Sequence, residues 1–205
     1  SRGLGDVYKR QAYNGVAILS RLAPESVLRE LPGSPDPQRR FLAASYGELR
    51  VVNVYVPNGR QIDSDAYIYK LEWLDSLAEY LEGELRFHPR LTVLGDFNIA
   101  PAAEDVYDPE AWEGQVLFSE PEREAFRRLL ELGLVDTFRR FPQEPGAFSW
   151  WDYRMNAFRR NIGLRIDHIL ASGPLAGDCT GCSIDKAVRA LPQASDHAPV
   201  VALFH

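Results

Sequence analysis

The chain has 205 residues, 45% of them apolar, and a formal charge of −6, so it can bury a sizeable core as one domain or as most of a larger one. No apolar run approaches membrane-spanning length, residues 1–11 lack the apolar centre of a secretory signal, and Cys179 and Cys182 are too few for a disulfide framework or a four-thiolate zinc site. A soluble, cytoplasmic protein is expected, and its negative charge excludes a general attraction for polyanions while leaving room for a local basic face.

In chain order, residues 1–11 have no clear periodicity and are excluded from the fold. Residues 15–20 (G-V-A-I-L-S) read as a buried strand, and residues 21–38, with four prolines, read as a loop ending at Arg39 and Arg40. Residues 41–45 and 49–56 are two strands joined by the hairpin signal Tyr46-Gly47-Glu48. The second strand ends in the polar run Tyr55-Val56-Pro57-Asn58-Gly59. Over residues 64–86 the apolar positions Tyr67, Leu71, Leu74, Ala78, Leu81 and Leu85 recur at helical spacing, which predicts an amphipathic helix.

Residues 91–94 then form a short β-branched strand that Gly95 breaks, followed by Asp96, Asn98 and Pro101. In an extended chain Asp96 and Asn98 project to the same side, which makes a base and a hydrogen-bonding amide at a strand end. The alternative is a turn in which both side chains simply bond their own backbone. Residues 102–119 are acidic and irregular and read as an ordered surface loop. Ser119 and Glu122 have capping-box spacing ahead of a helix with the stripe Phe126, Leu129, Leu130 and a C-cap at Gly133.

Residues 138–161 mix aromatics (Phe148, Trp150, Trp151, Tyr153, Phe158) with Arg154, Arg159 and Arg160 and lack a clean period, which predicts a loop partly facing solvent, although aromatic clusters are usually core. Residues 165–172 form a strand containing Asp167 and His168, and residues 188–193 lead into Ser195-Asp196-His197-Ala198-Pro199. Residues 200–204 close the chain as a strand. The irregular mixture of strands and helices fits a two-sheet α/β arrangement in a single domain.

Three strand ends therefore carry polar clusters, Tyr55 with Asn58, Asp96 with Asn98, and Asp196 with His197, and Asp167 adds a fourth. Hydrolysis of a phosphoester needs a base for water, donors or a metal for the phosphoryl oxygens, and help for the departing oxygen. Asp96 can take the proton, Asn98 can position water or phosphate, and His197, oriented by a carboxylate such as Asp167, can bond the phosphoryl group. Asp196 is a hard oxygen ligand suited to Mg²⁺. An aspartate such as Asp167 inside an apolar strand is costly unless paired, whereas His168, His88 and the two cysteines read as structural.

The ordered set N-V-Y-V-P-N-G, G-D-F-N-I-A-P, G-L-V-D-T-F-R, F-S-W-W-D-Y-R, G-L-R-I-D-H-I-L-A-S and S-D-H-A-P-V resembles the exonuclease III branch of the endonuclease/exonuclease/phosphatase superfamily, from about Tyr13 to the C-terminus. The resemblance implies a four-layered α/β sandwich of two mixed β-sheets flanked by helices, of the DNase I-like kind. It also implies Mg²⁺- or Mn²⁺-dependent hydrolysis of phosphodiesters at abasic sites and 3′ ends of double-stranded DNA, by a monomer with no membrane role. By position Asp96 resembles the family's base, Asn98 and Asn58 its phosphate-site amides, and Tyr55 its active-site tyrosine. Asp167 and His197 resemble its carboxylate–histidine pair, and Asp196 its metal-site aspartate. Trp150, Leu164 and Ile166 fall where the family forms an apolar pocket for a base-free sugar, which suits a residue cheaply extruded from the stack. Arg154, Arg159, Arg160 and Arg165 are then the expected DNA-phosphate contacts.

The family's early W/F-N-x-N strand and its Q-E-T-K segment, whose Glu is the principal metal ligand, have no counterpart in this sequence. An amino-terminally truncated domain, lacking a strand or strands and a helix, is therefore expected, with catalysis inactive or impaired. The competing expectations are a superfamily phosphatase acting on a small phosphoester or phospholipid head group, which has no use for the arginine-aromatic stretch, and a non-catalytic DNA-binding remnant.

Overall fold

A computed structural model describes residues 15–34 and 38–205. The strands are β1 (Ser26–Leu28), β2 (Phe41–Tyr46), β3 (Leu49–Tyr55), β4 (Arg90–Asp96), β5 (Leu134–Asp136), β6 (Asp167–Ser172), β7 (Cys179–Ile184) and β8 (Val200–Phe204). The helices are α1 (Asp65–Phe87), α2 (Pro109–Trp112), α3 (Glu120–Glu131), α4 (Gly173–Gly177) and α5 (Lys186–Arg189). Six strands form one mixed sheet in the order β1-β2-β3-β4-β6-β5, in which β3 and β4 are parallel and the other neighbours antiparallel. Among the described residues the second sheet is the antiparallel pair β7-β8.

Helix α1 is the crossover that the parallel pair β3-β4 requires. Ser64 caps it by accepting the amide of Tyr67 at 3.2 Å, and its apolar stripe of Trp73, Leu74, Leu77 and Leu81 meets Val52, Val54, Leu91 and Val93 of the sheet in the main core. Helix α3 adds Phe126 and Leu129 to the same core and starts at the expected Ser119–Glu122 capping box. With both helices on one face, strand alternation puts Tyr55, Leu94, Asp96, Asp167 and Ile169 on the other. That second face, whose Leu49, Val135 and Ala171 cluster with Phe204 of β8, carries the candidate site.

Several expectations are corrected. Residues 15–20 form no strand; the segment runs beside β3, where the Asn53 side chain donates to Ala17 O at 2.8 Å in place of a backbone ladder. Within the expected loop of residues 21–38, the described part contains the short strand β1. Gly95 does not break β4 but lies inside it, with φ +137° and a position at which a Cβ would stand 2.0 Å from Val54 O. It is glycine because the β3 backbone passes too close for any side chain. Strand β6 begins at Asp167, two residues later than expected, because Arg165 turns inward to buried carboxylates. Strands β5 and β7 and the short helices α2, α4 and α5 had no periodic signal. Residues 1–11, expected to lie outside the fold, fall outside the described residues, as does Tyr13.

The segment 102–119 is ordered by Asp105, Val106, Leu117 and Phe118, all buried. The 138–161 stretch divides in two: Phe148 and Trp151 are core, whereas Tyr153, Arg154 and Met155 are exposed. Cys179 and Cys182 are both buried free thiols. Among the described residues no helix is long and apolar enough to cross a membrane.

Candidate active site

Sheet register assembles the site. Tyr55 pairs with Asp96 across β3-β4, and Asp96 pairs with Asp167 across β4-β6, so three polar residues lie side by side at one edge of the face opposite the helices. Val56 N donates to Asp96 O at 2.9 Å and Phe97 N to Ile166 O at 2.9 Å, which extends both ladders to the strand ends. His197 arrives from the segment before β8, and its Nδ1 lies 2.8 Å from Asp167 Oδ2. A cavity of about 610 Å³ opens beside them, lined by Asp96, Asp167 and His197 together with Leu94, Ile169 and Leu191.

Both readings of the G-D-F-N turn hold at once. Asp96 Oδ1 accepts Asn98 N at 2.9 Å, which is the local turn bond, and Asp96 Oδ2 accepts Asn98 Nδ2 at 3.0 Å. Asn98 Nδ2 also donates to Val56 O at 3.0 Å, and Asn58 Nδ2 donates to Asn98 Oδ1 at 2.9 Å. Both N–H bonds of the Asn98 amide are thus engaged inside the turn, so Asn98 orients Asp96. Asn58 is exposed and uses one N–H on Asn98, which among the described residues leaves the second for a ligand.

The electrostatics distinguish the two carboxylates. Burial, reinforced by the adjacent Asp167 charge, raises Asp96 to about 7 against the opposing pull of His197, the Asn98 amide and Lys70. Burial disfavours the His197 imidazolium, but the bond to Asp167 and the charges of Asp167, Asp96 and Asp196 outweigh it and lift the ring to about 9. At neutral pH His197 is therefore a cation whose Nδ1–H donates to Asp167 and whose Nε2–H is available, while Asp96 is poised to exchange a proton.

Asp196 is held by a residue that sequence reasoning placed only in the sugar pocket. Trp150 Nε1 donates to Asp196 Oδ2 at 3.0 Å, and Trp151 N donates to Asp196 O at 3.0 Å. Ser149, wholly buried, was missed: its Oγ accepts the amides of Ile166 and Asp167 at 3.1 Å each, and its carbonyl accepts Ala198 N at 2.7 Å. It therefore joins the Asp167 strand to the Asp196-His197 segment. A serine among aromatics gives no sequence signal for this. Lys70 was also missed, although it had one: it lies three residues after Tyr67 and four before Leu74, inside the apolar stripe of α1.

Trp150, Leu164 and Ile166 do come together, in one apolar cluster with Ala100, Val106, Leu117 and Phe118. The arginines separate. Arg154 is exposed and paired with Asp152 at 2.6 Å, and Arg159 and Arg160 are exposed on the same loop. Arg165 is corrected: it is 1% exposed, with Nε 2.6 Å from Asp105 Oδ1 and Nη2 2.8 Å from Asp136 Oδ2, so it is a structural cation that cannot reach a phosphate. Burial first, and then the Arg165 charge, lowers His168 to about 3, so that this histidine is a neutral core residue as expected.

Among the described residues no group of three or more His, Cys, Asp or Glu side chains gathers to hold a metal ion. What they offer is one hard carboxylate, Asp196, oriented by the Trp150 indole N–H and adjacent in sequence to His197 of the cavity. That donor set fits a hydrated Mg²⁺, which is commonly held by one or two carboxylates plus substrate phosphate.

Comparison with known proteins agrees with the fold. Residues 5–197 match the family described as Endonuclease/Exonuclease/phosphatase family. Exodeoxyribonuclease III of Haemophilus influenzae is 35% identical over 208 residues, covering 95% of this chain and 78% of that protein. The structure of a Neisseria 3′ phosphatase bound to product DNA hairpin superposes with a TM-score of 0.90 at 46% identity, over 92% of this chain and 74% of that one. An AP endonuclease from Archaeoglobus fulgidus gives 0.86 at 39% identity, with the same coverage of each chain.

Proposed function

The chain belongs to the endonuclease/exonuclease/phosphatase family, and we propose that it hydrolyses DNA phosphodiesters as a metal-dependent repair nuclease acting at abasic sites and 3′ ends. The observation that carries this reading is the register of Tyr55, Asp96 and Asp167 on adjacent strands with His197 bonded to Asp167.

In this reading Asp96, held by Asn98, takes a proton from water as the water oxygen forms its bond to phosphorus. The bond from phosphorus to the leaving oxygen breaks, and that oxygen takes a proton from solvent as it departs, while Asp96 returns its proton to solvent. The His197 imidazolium, held by Asp167, donates Nε2–H to a phosphoryl oxygen, and the free N–H of Asn58 and the Tyr55 phenol bond the same group. Mg²⁺ (or Mn²⁺) at Asp196, when bound, supplies positive charge to the phosphoryl oxygens. Trp150, Leu164 and Ile166 would form the apolar wall against which a base-free sugar rests. Arg154, Arg159 and Arg160 supply the local phosphate contacts that the net charge does not.

The test is a nicking assay on duplex DNA carrying one abasic site, alongside a 3′-phosphate end and inositol phosphates as competing substrates. The catalytic reading requires Mg²⁺-dependent cleavage of the DNA substrates, at the impaired rate expected without the Q-E-T-K glutamate. Turnover of inositol phosphates alone would instead favour a small-phosphoester phosphatase, and salt-sensitive DNA binding without turnover in either ion would leave only a binding module.

A further inference from the structure

We infer that the buried Lys70–Glu122 pair is a positioning device for the active-site turn, with Lys70 holding the backbones of Asn58 and Asn98 from beneath and thereby fixing Asp96. The inference rests on the phosphodiesterase reading for its catalytic consequence, but its structural content stands on the geometry alone.

Both side chains of the pair are fully buried, with Lys70 Nζ 2.5 Å from Glu122 Oε1. Lys70 Nζ also donates to Asn98 O at 2.7 Å and Asn58 O at 3.3 Å, so its three N–H bonds go to one carboxylate and the two turns that carry the site's amides. Asn98 has φ +51°, a left-handed conformation that L-residues adopt at a cost. Its carbonyl accepts the bond from Lys70 in the interior, where an unpartnered carbonyl is penalised.

Glu122 is anchored in turn by Leu117 N at 3.0 Å, Ser119 N at 3.0 Å and Ser119 Oγ at 2.6 Å, and Tyr67 OH lies 2.6 Å from that same hydroxyl. The pair therefore ties the start of α3, one face of α1 and both amide turns together. Stability alone is a poor reason for such a pair, because well-packed apolar side chains of similar volume usually stabilise a core as well or better. What an apolar pair cannot do is donate to the two carbonyls. The Asn58–Asn98–Asp96 chain of side-chain bonds stands on those carbonyl positions, and a base displaced by about 1 Å is enough to lose about 100-fold in rate.

The test is the neutral double variant Lys70→Met/Glu122→Gln in the whole chain, which leaves no charge unpaired in the core. Expected are an unchanged KM for abasic duplex, a kcat lowered by about 10- to 100-fold, and faster exchange of the Asn98 amide with that of β2 and β3 unaltered. An unchanged kcat with unchanged Asn98 exchange overturns the proposal. If the unmodified chain turns over no phosphoester, the functional reading fails, and Asn98 exchange still decides the role of Lys70. Should the variant not fold, the ammonium of Lys70 in the unmodified chain answers instead. A slowly exchanging resonance coupled to the Asn98 carbonyl is expected, and a rapidly exchanging one overturns the inference.

Discussion

Asp96 and Asp167 stand directly opposite each other on β4 and β6, and among the described residues only the second is bonded to a cation, His197 Nδ1 at 2.8 Å. This asymmetry separates their roles. Asp167 holds the His197 ring, while Asp96, buried beside Asp167, is raised to about 7.

The raised Asp96 sets both activity and stability. As the base it acts when ionised, so cleavage should rise with pH through about 7, and Asp96→Asn should lose about 10²- to 10⁴-fold in rate with DNA binding retained. For stability the sign is the reverse of a salt-bridged aspartate. The folded state favours the protonated form, so ionisation subtracts stability as pH climbs from 3.8 to about 7, by up to on the order of 4 kcal/mol once complete. Thermal unfolding of Asp96→Asn should show a higher melting temperature than the unmodified chain at pH 8 and none of that gain at pH 4. A stabilisation that is equal at both values would remove the raised carboxylate from the account.

Trp150 is placed to tune the candidate metal ligand through its indole N–H on Asp196 Oδ2 at 3.0 Å. Trp150→Phe keeps an aromatic ring against Leu164 and removes only that donor, so Asp196 is free to rotate. Mn²⁺ titration should report affinity weakened by about 10- to 100-fold, the usual effect of losing a hydrogen bond that orients a ligand. Metal removal by chelation should abolish cleavage in both proteins.

The arginines give a contrast in one assay. Arg159→Ala and Arg160→Ala should each reduce the slope of log K against log salt for duplex DNA by about 0.9 and leave stability near that of the unmodified chain. Arg165→Met should leave the slope unchanged and cost roughly 3–5 kcal/mol in denaturant unfolding, since Asp136 would remain buried without its cation and Asp105 would keep only Arg139. A slope change for Arg165→Met with little loss of stability would return it to the DNA surface.

The residues legible in sequence were those whose chemistry is local. Asp96 and Asn98 stood out because a carboxylate and an amide two apart follow an apolar strand, and Asp167 because an aspartate in an apolar run needs a partner. Helix α1 and the Ser119–Glu122 cap followed from periodicity and capping chemistry. Arg165 was misplaced because a guanidinium in an arginine-rich stretch has the same composition whether it faces DNA or two carboxylates distant in the chain. Residues 15–20 have the composition of a strand, yet among the described residues no backbone ladder forms on them.

The sequence by itself determined which chemical groups are available and at which strand ends they stand, because hydrophobic periodicity and turn residues act over a few positions. Only the tertiary structure decided what those groups do to one another. The sheet register that sets Tyr55, Asp96 and Asp167 side by side, the His197 cation on Asp167, and the Lys70 ammonium beneath both amide turns join residues far apart in the chain. Burial and electrostatic coupling depend on distances in space, which no spacing in the sequence encodes.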